Sequence, residues 1–130
     1  MDAKTLPEVR DSNAFYGKTD FEGFFAEPIP ILGVIGDSQG ALYGQNCREN
    51  GLVKATYGTG SSVMMHAGDK PIVLDNGMVT SIAWGVDGKV SYVLEGNLNY
   101  AGATVSWLKD NLGIITSAGE TEAMAFAANP

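Results

Sequence analysis

The chain is poor in the residues that build most self-contained chemical sites. It holds one cysteine and one histidine in 130 residues. That excludes an intramolecular disulfide and a Cys/His zinc cluster. A Cys–His nucleophile survives only if Cys47 and His66 are each other's partner. Basic residues are also scarce and scattered, 8 against 15 acidic, for a net charge of -7. Such a balance argues against a nucleic-acid surface, which needs clustered Lys and Arg. No apolar run approaches the ~18 residues that span a bilayer. The opening Met-Asp-Ala-Lys-Thr-Leu-Pro-Glu lacks the apolar stretch of a secretory signal. The expectation is a cytoplasmic protein with neither nucleic acid nor membrane as partner.

What is present is a folded domain's composition, 45% hydrophobic and 18% charged, in a length suited to one ordinary domain. Residues 1–30 read as irregular, and so long a stretch without regular structure is unusual inside a compact domain. It is expected to pack on a surface outside these 130 residues. Ile31-Leu32-Gly33-Val34-Ile35 is a continuous apolar run, as in a strand buried on both faces. Residues 38–48 read as a helix, with Asp37 at its N-cap and Gly51 at its stop. Residues 52–57 and 61–66 form a hairpin about Gly58-Thr59-Gly60. Residues 78–84 and 89–94 form a second hairpin about Asp87-Gly88, a pair suited to a type I′ turn. Residues 99–112 read as an amphipathic helix and 120–128 as another.

Two segments carry chemistry. Gly36-Asp37-Ser38-Gln39-Gly40 sets a carboxylate where a strand turns into a helix. Asp37 there is either a structural N-cap or a group aimed into a cleft to orient an attacking hydroxyl. Gly58-Thr59-Gly60-Ser61-Ser62 is either a plain hairpin connection or a cradle of three backbone N–H groups and the Thr59 hydroxyl for phosphate oxygens. It lacks the lysine of a Walker loop. Gly102 falls inside a predicted helix, where glycine costs about 1 kcal/mol relative to alanine, so a close approach of a helix or a flat ligand is expected. Asn97 and Asn99 stand where they could cap that helix. His66 is expected to be half-buried, and Trp84 and Trp107 to lie in the core.

The ordered set Leu6-Pro7-Glu8-Val9-Arg10, Gly36-Asp37-Ser38-Gln39-Gly40, Tyr57-Gly58-Thr59-Gly60, Glu95-Gly96 and Ala101-Gly102-Ala103 with Trp107-Leu108 resembles the FGGY carbohydrate kinases, of the glycerol kinase and xylulokinase kind. The resemblance covers residues 6–112. It implies a ribonuclease-H-like, actin-like ATPase fold of the α/β class, present in part. Residues 1–30 would then leave the first kinase lobe, and residues 31–130 would open the second. The implied activity is transfer of the ATP γ-phosphate to a hydroxyl of a sugar or polyol, with Mg2+, by a homo-oligomeric whole chain. By the same resemblance Asp37 is the catalytic base and lies near the magnesium through water. Gly58, Thr59, Gly60, Gly102 and Ser106 belong to the nucleotide side, and Ser38 and Ser62 to the substrate side. Ser38 and Ser106 stand where glycerol kinases carry Gln, and Ser62 where they set an aromatic against the carbon chain. Those departures favour a larger or more polar acceptor than glycerol. The remaining alternative is a non-catalytic actin-like nucleotide-binding or sugar-sensing domain.

Overall fold

The computed structural model describes residues 3–128. Its centre is a four-stranded antiparallel sheet made from the two expected hairpins. The strands are β3 (Val53–Tyr57), β4 (Ser61–Gly68), β5 (Val79–Val86) and β6 (Lys89–Leu98), in the order β3-β4-β6-β5. β6 therefore inserts between β4 and β5, and it pairs with β4 from Ser61↔Leu98 to Gly68↔Tyr92. Before the sheet come β1 (Gly17–Thr19) and β2 (Ile29–Ile31), an antiparallel pair of their own, and α1 (Asp37–Gly44). After it come α2 (Gly102–Asp110) and α3 (Glu120–Ala127).

The second hairpin turns as its dipeptide requires. Asp87 and Gly88 both have positive φ, 50° and 74°, the geometry of a type I′ turn. Its tip is also a docking point for the chain's early part. The Gly88 N–H donates to Asp11 Oδ2 at 2.6 Å, the Ser12 N–H to Gly85 O at 2.7 Å, and Asn13 Nδ2 to Asp87 Oδ1 at 2.8 Å. Residues 11–13 are thus held against β5 and β6 within the chain. Ser12 passes the connection on, since its carbonyl accepts the Val34 N–H at 2.9 Å.

One face of the sheet carries α1. Leu42 of that helix packs with Cys47, Met64, Ala83, Trp84 and Val93 as the core cluster. Tyr43 meets Trp84 edge-on at 5.0 Å, and His66 lies against the same indole at 5.4 Å. His66 is buried, not half-buried, at 5% exposure. Its Nδ1 accepts the Gly68 N–H while Nε2 has no partner among the described residues. Loss of solvent pushes its pKa below the ordinary histidine value, so the ring is held neutral.

Several expectations give way. The run 31–35 is extended, but only Ile31 joins a ladder, and Leu32, Val34 and Ile35 are exposed. No layer among the described residues lies over them. α1 begins at Asp37 with Gly36 as its N-cap, so Asp37 occupies the first turn. The helix stops well before Gly51, because Asn46 takes a left-handed φ of 60°, a conformation Asn tolerates better than most residues. β6 runs four residues past the expected Leu94. α2 starts late, at Gly102, with Ala101 as its N-cap and no side-chain cap, so neither Asn97 nor Asn99 caps it. Trp107 is half exposed on α2 and is not core.

Candidate functional site

The loop Gly58-Thr59-Gly60 is built by close backbone contacts. The Gly58 N–H closes the turn on Gly60 O at 2.8 Å. The carbonyls of the loop then cap the next helix. Gly58 O accepts from the Gly102 N–H at 2.9 Å, and Thr59 O accepts from the N–H groups of Ala101 and Ala103 at 3.0 Å each. These are donors that a helix start leaves without an intrahelical partner, which explains why α2 needs no side-chain cap. The same closeness demands glycine. A Cβ at Gly102 would stand 2.7 Å from Gly58 O, and one at Gly60 would stand 2.9 Å from Leu98 O. The close approach expected at Gly102 is real, but it comes from the hairpin loop, at the helix's first residue and not its interior.

Of the three loop N–H groups expected to face a ligand, Gly58's is thus consumed inside the turn. Those of Thr59 and Gly60 have no acceptor among the described residues. Two amides and the Thr59 hydroxyl remain as donors.

The loop separates two clefts. On one side Thr59, Gly102, Ala103, Ser106, Trp107, Asp110 and Asn111 line a depression of about 420 Å3. The other, of about 360 Å3, is lined by Ser38 from α1, by Thr56, Gly58, Gly60, Ser61 and Ser62 from the first hairpin, and by Asn97, Leu98 and Asn99. The sequence-predicted residues therefore divide between the two, with Gly58 and Gly60 away from the nucleotide side on which they were expected. Thr59, Gly102 and Ser106 gather in the first cleft, Ser38 and Ser62 in the second, and Gly58 and Gly60 also border the second. Asp37 is exposed at the start of α1 beside Ser38. Its Oδ1 accepts the Ser38 N–H at 2.7 Å, and it does not itself line the cleft wall.

In and beneath the second cleft lie further polar contacts that the sequence did not announce. Ser61 is 7% exposed and its Oγ has no hydrogen-bond partner among the described residues, an arrangement buried hydroxyls rarely keep without a ligand or water. Ser62 Oγ donates to Glu95 Oε1 at 3.0 Å. Lys54, 2% exposed, donates from Nζ to Thr56 Oγ1 at 2.8 Å. The clue to these residues was face and register, since Lys54 meets Thr56 two residues along one strand and Ser62 meets Glu95 across strands. Among the described residues no group of three or more His, Cys, Asp or Glu is placed to hold a metal ion.

No family model matches the chain. The chain is 51% identical over 123 residues to a glycerol kinase of Carboxydothermus hydrogenoformans, covering 95% of this chain and 25% of that protein. It is 56% identical over 120 residues to a glycerol kinase of Burkholderia pseudomallei, covering 92% and 24%. Among solved structures it is similar to Plasmodium falciparum glycerol kinase with ADP, with a TM-score of 0.82, 32% identity, and coverage of 96% of this chain and 25% of that one. The chain spans about a quarter of the length of the curated relatives it matches. On this similarity in sequence and in fold, the chain belongs to the glycerol-kinase-like FGGY family, as a segment with part of its actin-like ATPase fold.

Proposed function

We propose that this segment forms one wall of the active cleft of an ATP-dependent kinase that phosphorylates a hydroxyl of a polyol or sugar. The observation that carries the reading is the glycine loop standing between two clefts, with small polar residues on both sides. Phosphoryl transfer needs donor and acceptor held on opposite sides of a moving phosphoryl group, with little covalent work for the protein.

In this reading the cleft of Thr59, Gly102 and Ser106 takes the nucleotide. The free amide and hydroxyl of Thr59 hold phosphate oxygens there, and the free amide of Gly60, which borders the other cleft, holds the phosphoryl group as it passes between the two. That the Plasmodium falciparum relative was solved with ADP supports a nucleotide as ligand. The cleft of Ser38 and Ser62 takes the acceptor. Asp37, exposed at its edge, orients the reacting hydroxyl and takes its proton. The donor set suits Mg2+, which commonly binds through one or two carboxylates, waters and substrate phosphates. Asp37 would hold it through water. The metal would neutralise charge on the phosphates. Ser62 leaves the acceptor side polar, which favours polyols longer than glycerol beside glycerol itself. Residues 1–30 would belong to the exit from one lobe and residues 31–130 to the opening of the next.

The test is an ADP-release assay on the kinase chain carrying this segment, with Mg-ATP and glycerol, erythritol, xylulose, ribulose and gluconate. Turnover with one of these, lost in Asp37→Asn while nucleotide binding persists, is the expected result. Nucleotide binding with no turnover on any acceptor would instead make the segment part of a sensor.

A further inference from the structure

We infer that Lys54 and Glu95 fix the hydrogen-bond polarity of Thr56 and Ser62, and that these two hydroxyls together read a non-reacting hydroxyl of the acceptor. The inference rests on the acceptor cleft proposed above and adds how that cleft recognises its ligand.

Residues opposite one another in antiparallel strands share a face. Thr56 is opposite Ser62, and Ser62 is opposite Asn97. All three line the cleft with Ser38. One row deeper on the same face, Lys54 is opposite Met64, and Met64 is opposite Glu95. Lys54 and Glu95 do not line the cleft. Fully buried Met64 stands between them, so they are two strand spacings apart, about 10 Å. They form no ion pair with each other. Each instead supports one hydroxyl of the row above, Lys54 to Thr56 and Glu95 to Ser62.

The direction of both bonds is forced. An ammonium has no lone pair to accept with, and a carboxylate has no proton to give. Thr56 Oγ1 must accept from Lys54, so its own O–H is left to donate outward. Ser62 must spend its O–H on Glu95, so its remaining lone pair is left to accept. The cleft floor thus presents a donor beside an acceptor. A ligand hydroxyl satisfies both, whereas a carbonyl oxygen satisfies only the donor. Asp37 addresses the reacting hydroxyl from α1, so the pair reads another one, and the ligand class is a polyhydroxy compound.

The burial of Lys54 fits this role. A fully buried ammonium with one neutral partner is unfavourable. An apolar side chain would fill its place without that burden, but it would leave Thr56 free to turn either way. Lys54 and Glu95 are positioning residues, since neither lines the cleft.

The test compares glycerol with dihydroxyacetone, and erythritol with erythrulose, by calorimetric titration and by kcat/KM. It uses the kinase chain carrying this segment. Wild type is expected to favour each polyol over its ketone about tenfold, the value of one well-made hydrogen bond. Glu95→Gln keeps the shape but lets the amide donate to Ser62, which turns Ser62 into a second outward donor. That variant should move the ratio toward one or invert it. Thr56→Val should weaken binding of polyol and ketone, and Thr56→Ser should restore wild-type values. A merely structural role would weaken polyol and ketone alike and leave their ratio fixed in Glu95→Gln. That fixed ratio would overturn the inference even if turnover is intact. A shifted ratio in binding with no turnover would uphold it while removing the proposed transfer. Binding of no polyol at all would overturn both.

Discussion

At the scale of single residues, the site depends on groups with no room to change. Gly60 and Gly102 have carbonyl oxygens within 3 Å of where a Cβ would be, and those oxygens belong to backbone that cannot swing away. Gly102→Ala should lower stability by roughly 1–3 kcal/mol, as overpacked sites do, and should weaken nucleotide binding more than acceptor binding. Denaturant melts and titrations of each ligand check this. Asp37→Asn should reduce kcat by roughly 10²–10⁴, the range for a positioned acid or base, with ADP affinity retained. His66 gives a pH prediction. Its folded pKa is lowered by burial, so below about pH 6.5 the unfolded chain takes up a proton that the folded chain resists. Stability is therefore full above that pH and declines as the pH falls through it. Thermal melts between pH 7.5 and 5 should show the decline, and His66→Phe should flatten it.

At the scale of elements, what was readable in the sequence followed from the range of the signal. Both hairpins were legible because their turn dipeptides act locally, and Asp87-Gly88 adopts the two positive φ values its residue types favour. Gly88→Ala should cost about 1 kcal/mol, measurable as a lower melting temperature, with the docking of residues 11–13 weakened alongside. The ends of helices were less legible. α1 is stopped by Asn46 in a left-handed conformation just past its end, and α2 is capped by the carbonyls of a loop far earlier in the chain, which no local motif announces. The extended run 31–35 read as buried because it is apolar, but apolarity reports a preference and not the presence of a covering layer. The partition of Thr59 from Ser62 into separate clefts was implied by the family resemblance alone and not by any local pattern. It depends on β6 inserting beside β4, a pairing set by sequence-distant contacts.

At the scale of the whole molecule, the segment supplies one side of each cleft and little enclosure. Many large apolar side chains remain exposed, among them Val9, Phe24, Val73 and Phe126. The 130 residues alone should therefore release no ADP with any acceptor above background, while the kinase chain carrying them does. Turnover by the isolated segment would contradict the one-wall reading. The carbonyls of Gly58 and Thr59 that hold the start of α2 have one more consequence. The amides of Ala101, Gly102 and Ala103 are bonded to the loop and not to the helix, so their exchange with deuterated solvent is a clock for loop opening. A ligand that grips Thr59 should slow that clock at these three positions, distant in sequence from the loop, before any product is made.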